Sequence, residues 1–226
     1  MGRLEHVDDV AEASIEFKIE AYYAVNDPYR HLQPHYDRIN LNAAWDLTAG
    51  DPAVSVNVVD TGTDLNHQDL QRNIWQNPGE VCDNGVDDDG NGYVDDCHGY
   101  NFADDTGADL LGSGSHGTHC AGTIAADSDN AVGVAGVAGG KGGDAGASIM
   151  TSVCFGVSAT KGFAEAIVYG ADEGARVSSN SWGYTQPGVR VRRAELLLMN
   201  RRGRDDARLP LTNRGDAAAA TTRIFL

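Results

Sequence analysis

Basic residues are scarce over most of this chain. Residues 1–183 hold 8 Lys and Arg against 29 Asp and Glu. That shortage excludes the basic face on which nucleic-acid binding depends, so no nucleic-acid partner is expected. Long apolar runs are missing as well. None approaches the roughly 20 residues needed to span a bilayer, and no membrane partner is expected. The opening residues, MGRLEHVDDVAEA, contain neither the apolar core of an export signal nor a myristoylation pattern. Four cysteines in 226 residues are too few for a disulfide scaffold. Only 6 prolines stand beside 28 glycines, a balance that argues for tight turns and close backbone approaches rather than for collagen or a stiff linker.

What is present fits a globular domain. Apolar residues make up 41% of the chain and the net charge is −16. The charge is uneven: residues 184–226 carry 9 Arg, no Lys and 4 acids, which marks a stretch with a different job or one foreign to the fold. Along the chain, residues 15–25 alternate well enough for a strand, 26–36 read as a polar connector, and 41–50 as a short helix stopped by Gly50. Residues 53–60 form a Val-rich run bounded by turn residues, the mark of a buried strand. A helix is expected from about Ser115 through 126, a strand over 147–155 and a further strand over 176–182. Between these two strands, 158–175 places Phe163, Ala166, Ile167 and Gly170 on one helical face and closes at Gly174. Strand, helix, strand, helix, strand in that order predicts an α/β fold, a parallel β-sheet flanked by helices. Sites in such folds gather at the carboxyl ends of the strands, and Asp60, Asn180 and Ser181 all fall there.

Three short motifs carry chemistry. Asp60 closes a buried strand and is followed by Thr61 and Gly62, so its carboxylate is held rigidly before a turn. His116 opens a helix in His-Gly-Thr-His, where the glycine permits close backbone approach. His119 lies three residues on and invites a metal reading, but no third ligand is near it in sequence. Ser181, Trp182 and Gly183 end the last strand and can present backbone groups to an extended peptide. Taken together and in this order, the three motifs resemble the subtilisin-like serine proteases (subtilases, peptidase family S8), over roughly residues 26–183.

The resemblance implies roles for individual residues. Asp60 would orient the imidazole, His116 would act as general base and then general acid, and Ser181, Trp182 and Gly183 would pair with substrate backbone and wall the pocket for the residue before the cut. His119 would be structural, and Cys120 a thiol beside the base rather than the nucleophile. It also implies a serine endopeptidase acting on polypeptides, monomeric and secreted. One part of the family's pattern is missing: no Gly-Thr-Ser occurs, and the nucleophile's segment is expected beyond Leu226. Asn213 has an Asn-x-Gly shape but lacks the small apolar lead-in expected of an oxyanion-hole donor. The expected organisation is therefore a propeptide remnant over 1–25, the N-terminal part of the catalytic domain over 26–183, and a basic tail over 184–226, either genuine or introduced by a frameshift or misjoined exon. The alternative is a catalytically inactive fragment that binds calcium or peptide.

Residues 80–97 are dense in carboxylates with glycine at the bends. Asp87, Asp89 and Asn91 alternate as in the first half of an EF-hand loop, yet the twelfth position from Asp87 is His98 and not Glu. Asp-rich loops of this kind precede the His motif in calcium-binding subtilases, to which this one looks similar. Asp83, Asp87, Asp89, Asn91 and Asp95 are the candidate calcium ligands, with a solvated acidic loop as the alternative. Cys82 and Cys97 flank the loop and either close it as a bridge or remain thiols. Cys120 and Cys154, in apolar surroundings, read as buried thiols.

Overall fold

The structure is a computed structural model describing residues 23–156 and 160–183, together with the backbone of 223–224. Its centre is strand β1 (Ser55–Asp60), of which all six residues are buried. Both faces of β1 are covered, as the near-continuous Val run requires. Val56 and Val58 pack toward Ala121 and Ala125 of helix α3 (His116–Ala125). Val59, on the other face, packs toward Ala166 and Tyr169 of helix α4 (Phe163–Asp172). Asn57 sits among these apolar residues at 1% exposure. It is satisfied because its Nδ2 donates to Ala166 O at 2.8 Å and its Oδ1 accepts from Ser152 Oγ at 2.8 Å.

Strand β5 (Ser148–Val153) and strand β6 (Val177–Asn180) run parallel to β1 on its two sides. Strand β2 (Gly99–Asn101) adds to the far side of β5, also parallel. Strand β7 (Arg223–Ile224) lies antiparallel on β6, giving the order β2-β5-β1-β6-β7. The chain passes from β5 through α4 to β6, and so crosses from one flank of β1 to the other. A two-stranded hairpin of β3 (Gly140–Lys141) and β4 (Asp144–Ala145) stands apart. Helices α1 (His35–Arg38) and α2 (Leu41–Trp45) form a third small core with Ala49 and Ala135. It is pinned where Tyr36 OH donates to Ala135 O at 2.9 Å and Trp45 Nε1 to Val137 O at 2.9 Å.

The expected parallel sheet flanked by helices is thus present. The strand expected over 15–25 falls outside the described residues except for 23–25, which form none. Two departures have physical causes. The connector over 26–36 contains a 3-10 turn and the start of α1, both too short to show a helical period. Strand β2 lies inside the acidic stretch and owes its conformation to pairing with β5 rather than to its own three residues.

Candidate active site and cation-binding loop

Asp60 is the last residue of β1 and is 1% exposed. Its Oδ1 accepts from Thr61 N at 2.7 Å and stands 2.7 Å from His116 Nδ1. The two segments dovetail at backbone level. Gly117 N donates to Thr61 Oγ1 at 2.9 Å, and a Cβ on Gly117 would sit 2.2 Å from Gly62 O. Gly62 has φ +116, and a Cβ there would meet Leu111 O at 2.4 Å. These two glycines let the helix start abut the strand end, which brings His116 onto Asp60. The side chain of His116 remains 56% exposed while that of Asp60 is 2% exposed. The imidazole therefore has one nitrogen on a buried carboxylate and its ring open to solvent.

Cys120 lies against this pair and Ser181 bonds to Cys120, while Trp182 and Gly183 make no described contact with the pair. Cys120 follows one helical turn later, its Sγ 3.8 Å from His116 Nδ1. Burial pushes the Cys120 thiol up; a hydrogen bond with Ser181 works the other way and the charge of Asp60 adds to the rise. Such a thiol is mostly protonated and poorly nucleophilic at neutral pH. The contact also brings Ser181 beside the Asp60–His116 pair. Trp182 turns its indole back over the sheet, with Nε1 donating to Val59 O at 2.8 Å and its ring 4.3 Å from Phe163. Gly183 is exposed. His119 does not join: among the described residues the group around Asp60 and His116 is completed by Cys120.

The acidic loop is closed by a disulfide between Cys82 and Cys97, whose Cα atoms are 5.7 Å apart. The expected ligands divide into two sets. Asp87 and Asp89 come together, but with Glu80, one oxygen of each lying within 4.8 Å of the others. Asp95 instead caps a turn, accepting from Asn84 N at 2.9 Å and Gly85 N at 3.0 Å. Asp83 lies beside it with φ 61. Asn91 uses its Nδ2 on Asp89, Asp96 and Glu173, which ties the loop to the end of α4. Glu80 was not expected, since nothing in the alternating Asp pattern reaches back to it. It is 9% exposed; Oε1 accepts from the amides of Asp88 and Asp89, and Oε2 is buried with no partner. A second acidic locus draws on three distant stretches. Asp69 accepts from Asn130 Nδ2 and Val134 N, Asp27 accepts from Asp129 N, and Asp127 pairs with Arg72 at 3.2 Å. Asp27 Oδ1 and Asp127 Oδ1 are buried without partners. No two of those stretches are close in sequence, so spacing carried no signal.

Comparison with known proteins gives this geometry a family. The model of the subtilase family matches residues 51–211. Halolysin of Haloferax mediterranei is 34% identical over 176 residues, 78% of this chain and 30% of its own length. Thermitase of Thermoactinomyces vulgaris is 34% identical over 72% of this chain and 49% of its own length. Subtilisin-like protease 1 of Plasmodium vivax is 42% identical over 50% of this chain and 18% of its own length. A solved protease of Pseudoalteromonas arctica superposes with TM-score 0.45 at 26% identity, covering 74% of this chain and 46% of its own. The chain thus spans less than half the length of each of these relatives. The family match takes in both members of the buried carboxylate–imidazole pair and the strand end beside them, and the chain belongs to the subtilase family.

Proposed function

We propose that this chain supplies the acid and base of a serine endopeptidase. The observation that carries this reading is the 2.7 Å contact between His116 Nδ1 and the buried Asp60. A carboxylate in that position favours the tautomer with the proton on Nδ1 and stabilises the imidazolium. Nε2 is then free to take a proton from a hydroxyl nucleophile and return it to the leaving amine. The end of β6, with Ser181 beside Cys120 and Gly183 exposed, offers backbone groups to an extended polypeptide. No Gly-Thr-Ser occurs in the 226 residues, so the serine is assigned to the part of the relatives' length that this chain does not span. The substrate is a polypeptide. No described helix is long and apolar enough to cross a membrane, and the acidic surface accords with an exported enzyme.

Calcium belongs to the same reading. Glu80 Oε2 is buried and unpartnered, a costly arrangement for a carboxylate unless a cation satisfies it. Asp87 and Asp89 add oxygens, and an all-oxygen carboxylate set suits a hard cation. The residues present therefore fit calcium, with Glu80, Asp87 and Asp89 as the holders. When bound, the ion would neutralise charge and hold the loop closed. It takes no part in the proton transfers, which belong to Asp60 and His116.

The test is to incubate the gene product with an unfolded polypeptide. New peptide termini are expected, and a fluorophosphonate should stop their appearance. Cleavage untouched by the fluorophosphonate would remove the serine-protease reading.

A further inference from the structure

Counting Glu80 itself, the stretch from Glu80 to Cys97 holds seven acidic and no basic residues. The disulfide grips this segment beside the groups that shape it. Cys82 stands two residues after Glu80, the carboxylate with the unpartnered oxygen. Cys97 follows Asp96, which is fully buried and accepts from Asn77 Nδ2, Asn91 Nδ2 and Tyr169 OH. Asn77 also donates to Asp89 Oδ2, while its own amide donates to Cys97 O. The bridge thus fixes both ends of the segment that sets Glu80 against Asp87 and Asp89. Cys82 is exposed and Cys97 is 5% exposed, so one sulfur of the pair sits at the surface.

We propose that the Cys82–Cys97 disulfide gates cation affinity at Glu80, Asp87 and Asp89, so that reduction of the bridge releases the cation. This rests on the calcium reading above. With the bridge cut, a cation must itself offset the entropy of closing the loop and the repulsion among its carboxylates. The step balances with a dithiol as reductant. Its thiolate attacks Cys82 Sγ, the S–S bond breaks, and Cys97 leaves with the electron pair and takes a proton. The second thiol then displaces Cys82, and the dithiol ends as a disulfide, two electrons having passed to the protein. Coupling is reciprocal, so a cation that prefers the oxidised loop must make the bridge harder to reduce by the same factor.

Calorimetric titration of the purified chain with Ca²⁺, before and after reduction by dithiothreitol, tests the proposal. Oxidised protein is expected to bind at least tenfold more tightly. The dithiol–disulfide potential, measured in redox buffers, should then fall by about 30 mV or more at saturating Ca²⁺. Glu80→Gln keeps the bridge and should abolish calcium's effect on the potential, a readout that does not depend on a cysteine variant folding. Equal affinity in the two redox states would overturn the gate and leave the calcium reading standing, whereas an unchanged calcium effect on the potential in Glu80→Gln would move the cation away from Glu80 and overturn both. Failure of the oxidised protein to bind Ca²⁺ would overturn that reading, and the gate with it.

Discussion

Asp60 and His116 divide the work by exposure: the carboxylate is sealed under the strand end and the imidazole faces out. Replacing Asp60 by Asn keeps the shape but presents the wrong hydrogen-bonding partner to Nδ1. In the gene product, Asp60→Asn should lower kcat on the order of 10⁴-fold with little change in KM, as steady-state kinetics on a peptide substrate would show. Cys120 should behave as a suppressed thiol. Its alkylation by iodoacetamide is expected to be slow at neutral pH and to climb past the range of a free thiol; fast labelling at neutral pH would contradict its burial. Asp27 is 4% exposed and its carboxyl is raised, by burial first. The proton-bound form is then favoured in the fold. Its contribution is complete below the unfolded value and is lost as pH rises through the raised folded value. Without calcium, the thermal midpoint should therefore fall as pH rises above the ordinary carboxylate range, and Asp27→Asn should flatten that fall. Asp127 and Glu173 are raised with burial as the first cause and act in the same direction.

At the scale of elements, helix α4 shows how far a pattern can be read. Its closure near Gly174 follows from the sequence, and Ala166 and Gly170 are buried as their face required, but it is shorter than the expected 158–175 and starts only after Gly162, whose φ is +79. Phe163 and Ile167 are only partly buried. Tyr169 was missed, because its burial depends on Asp96 of the acidic loop accepting its hydroxyl at 2.7 Å. A partner contributed by a distant loop leaves no trace in helical periodicity. The same holds for Glu80 and for the locus of Asp27, Asp69 and Asp127. The Asp60–His116 contact was legible for the opposite reason: Asp-Thr-Gly and His-Gly-Thr-His each carry their own packing requirement, a glycine where another backbone arrives. Gly170 makes a comparable demand. A Cβ there would lie 2.1 Å from Asn57 Nδ2, whose side chain is locked between Ala166 and Ser152. Gly170→Ala should destabilise the chain by about 1–3 kcal/mol in urea unfolding, the cost of overpacking outweighing the helix propensity gained.

Over the whole molecule the dominant feature is negative charge, −16 in 226 residues, concentrated where carboxylates are buried or crowded. Such a chain is stabilised by whatever neutralises it. Calcium at 100 times its dissociation constant should add about 2.7 kcal/mol, seen as a rise in Tm of roughly 5–10 °C at this chain length. Glu80→Gln should remove most of that rise, and an unchanged rise would move the cation elsewhere. The role proposed for Asp60 and His116 is the acid–base half of a serine endopeptidase. Fluorophosphonate labelling of the gene product tests it most directly, comparing the unaltered protein with His116→Ala. Label is expected on the serine of a Gly-Thr-Ser segment, at a rate that falls at least a hundredfold in the variant. Labelling of that serine at equal rates in both proteins would show that His116 is not its base.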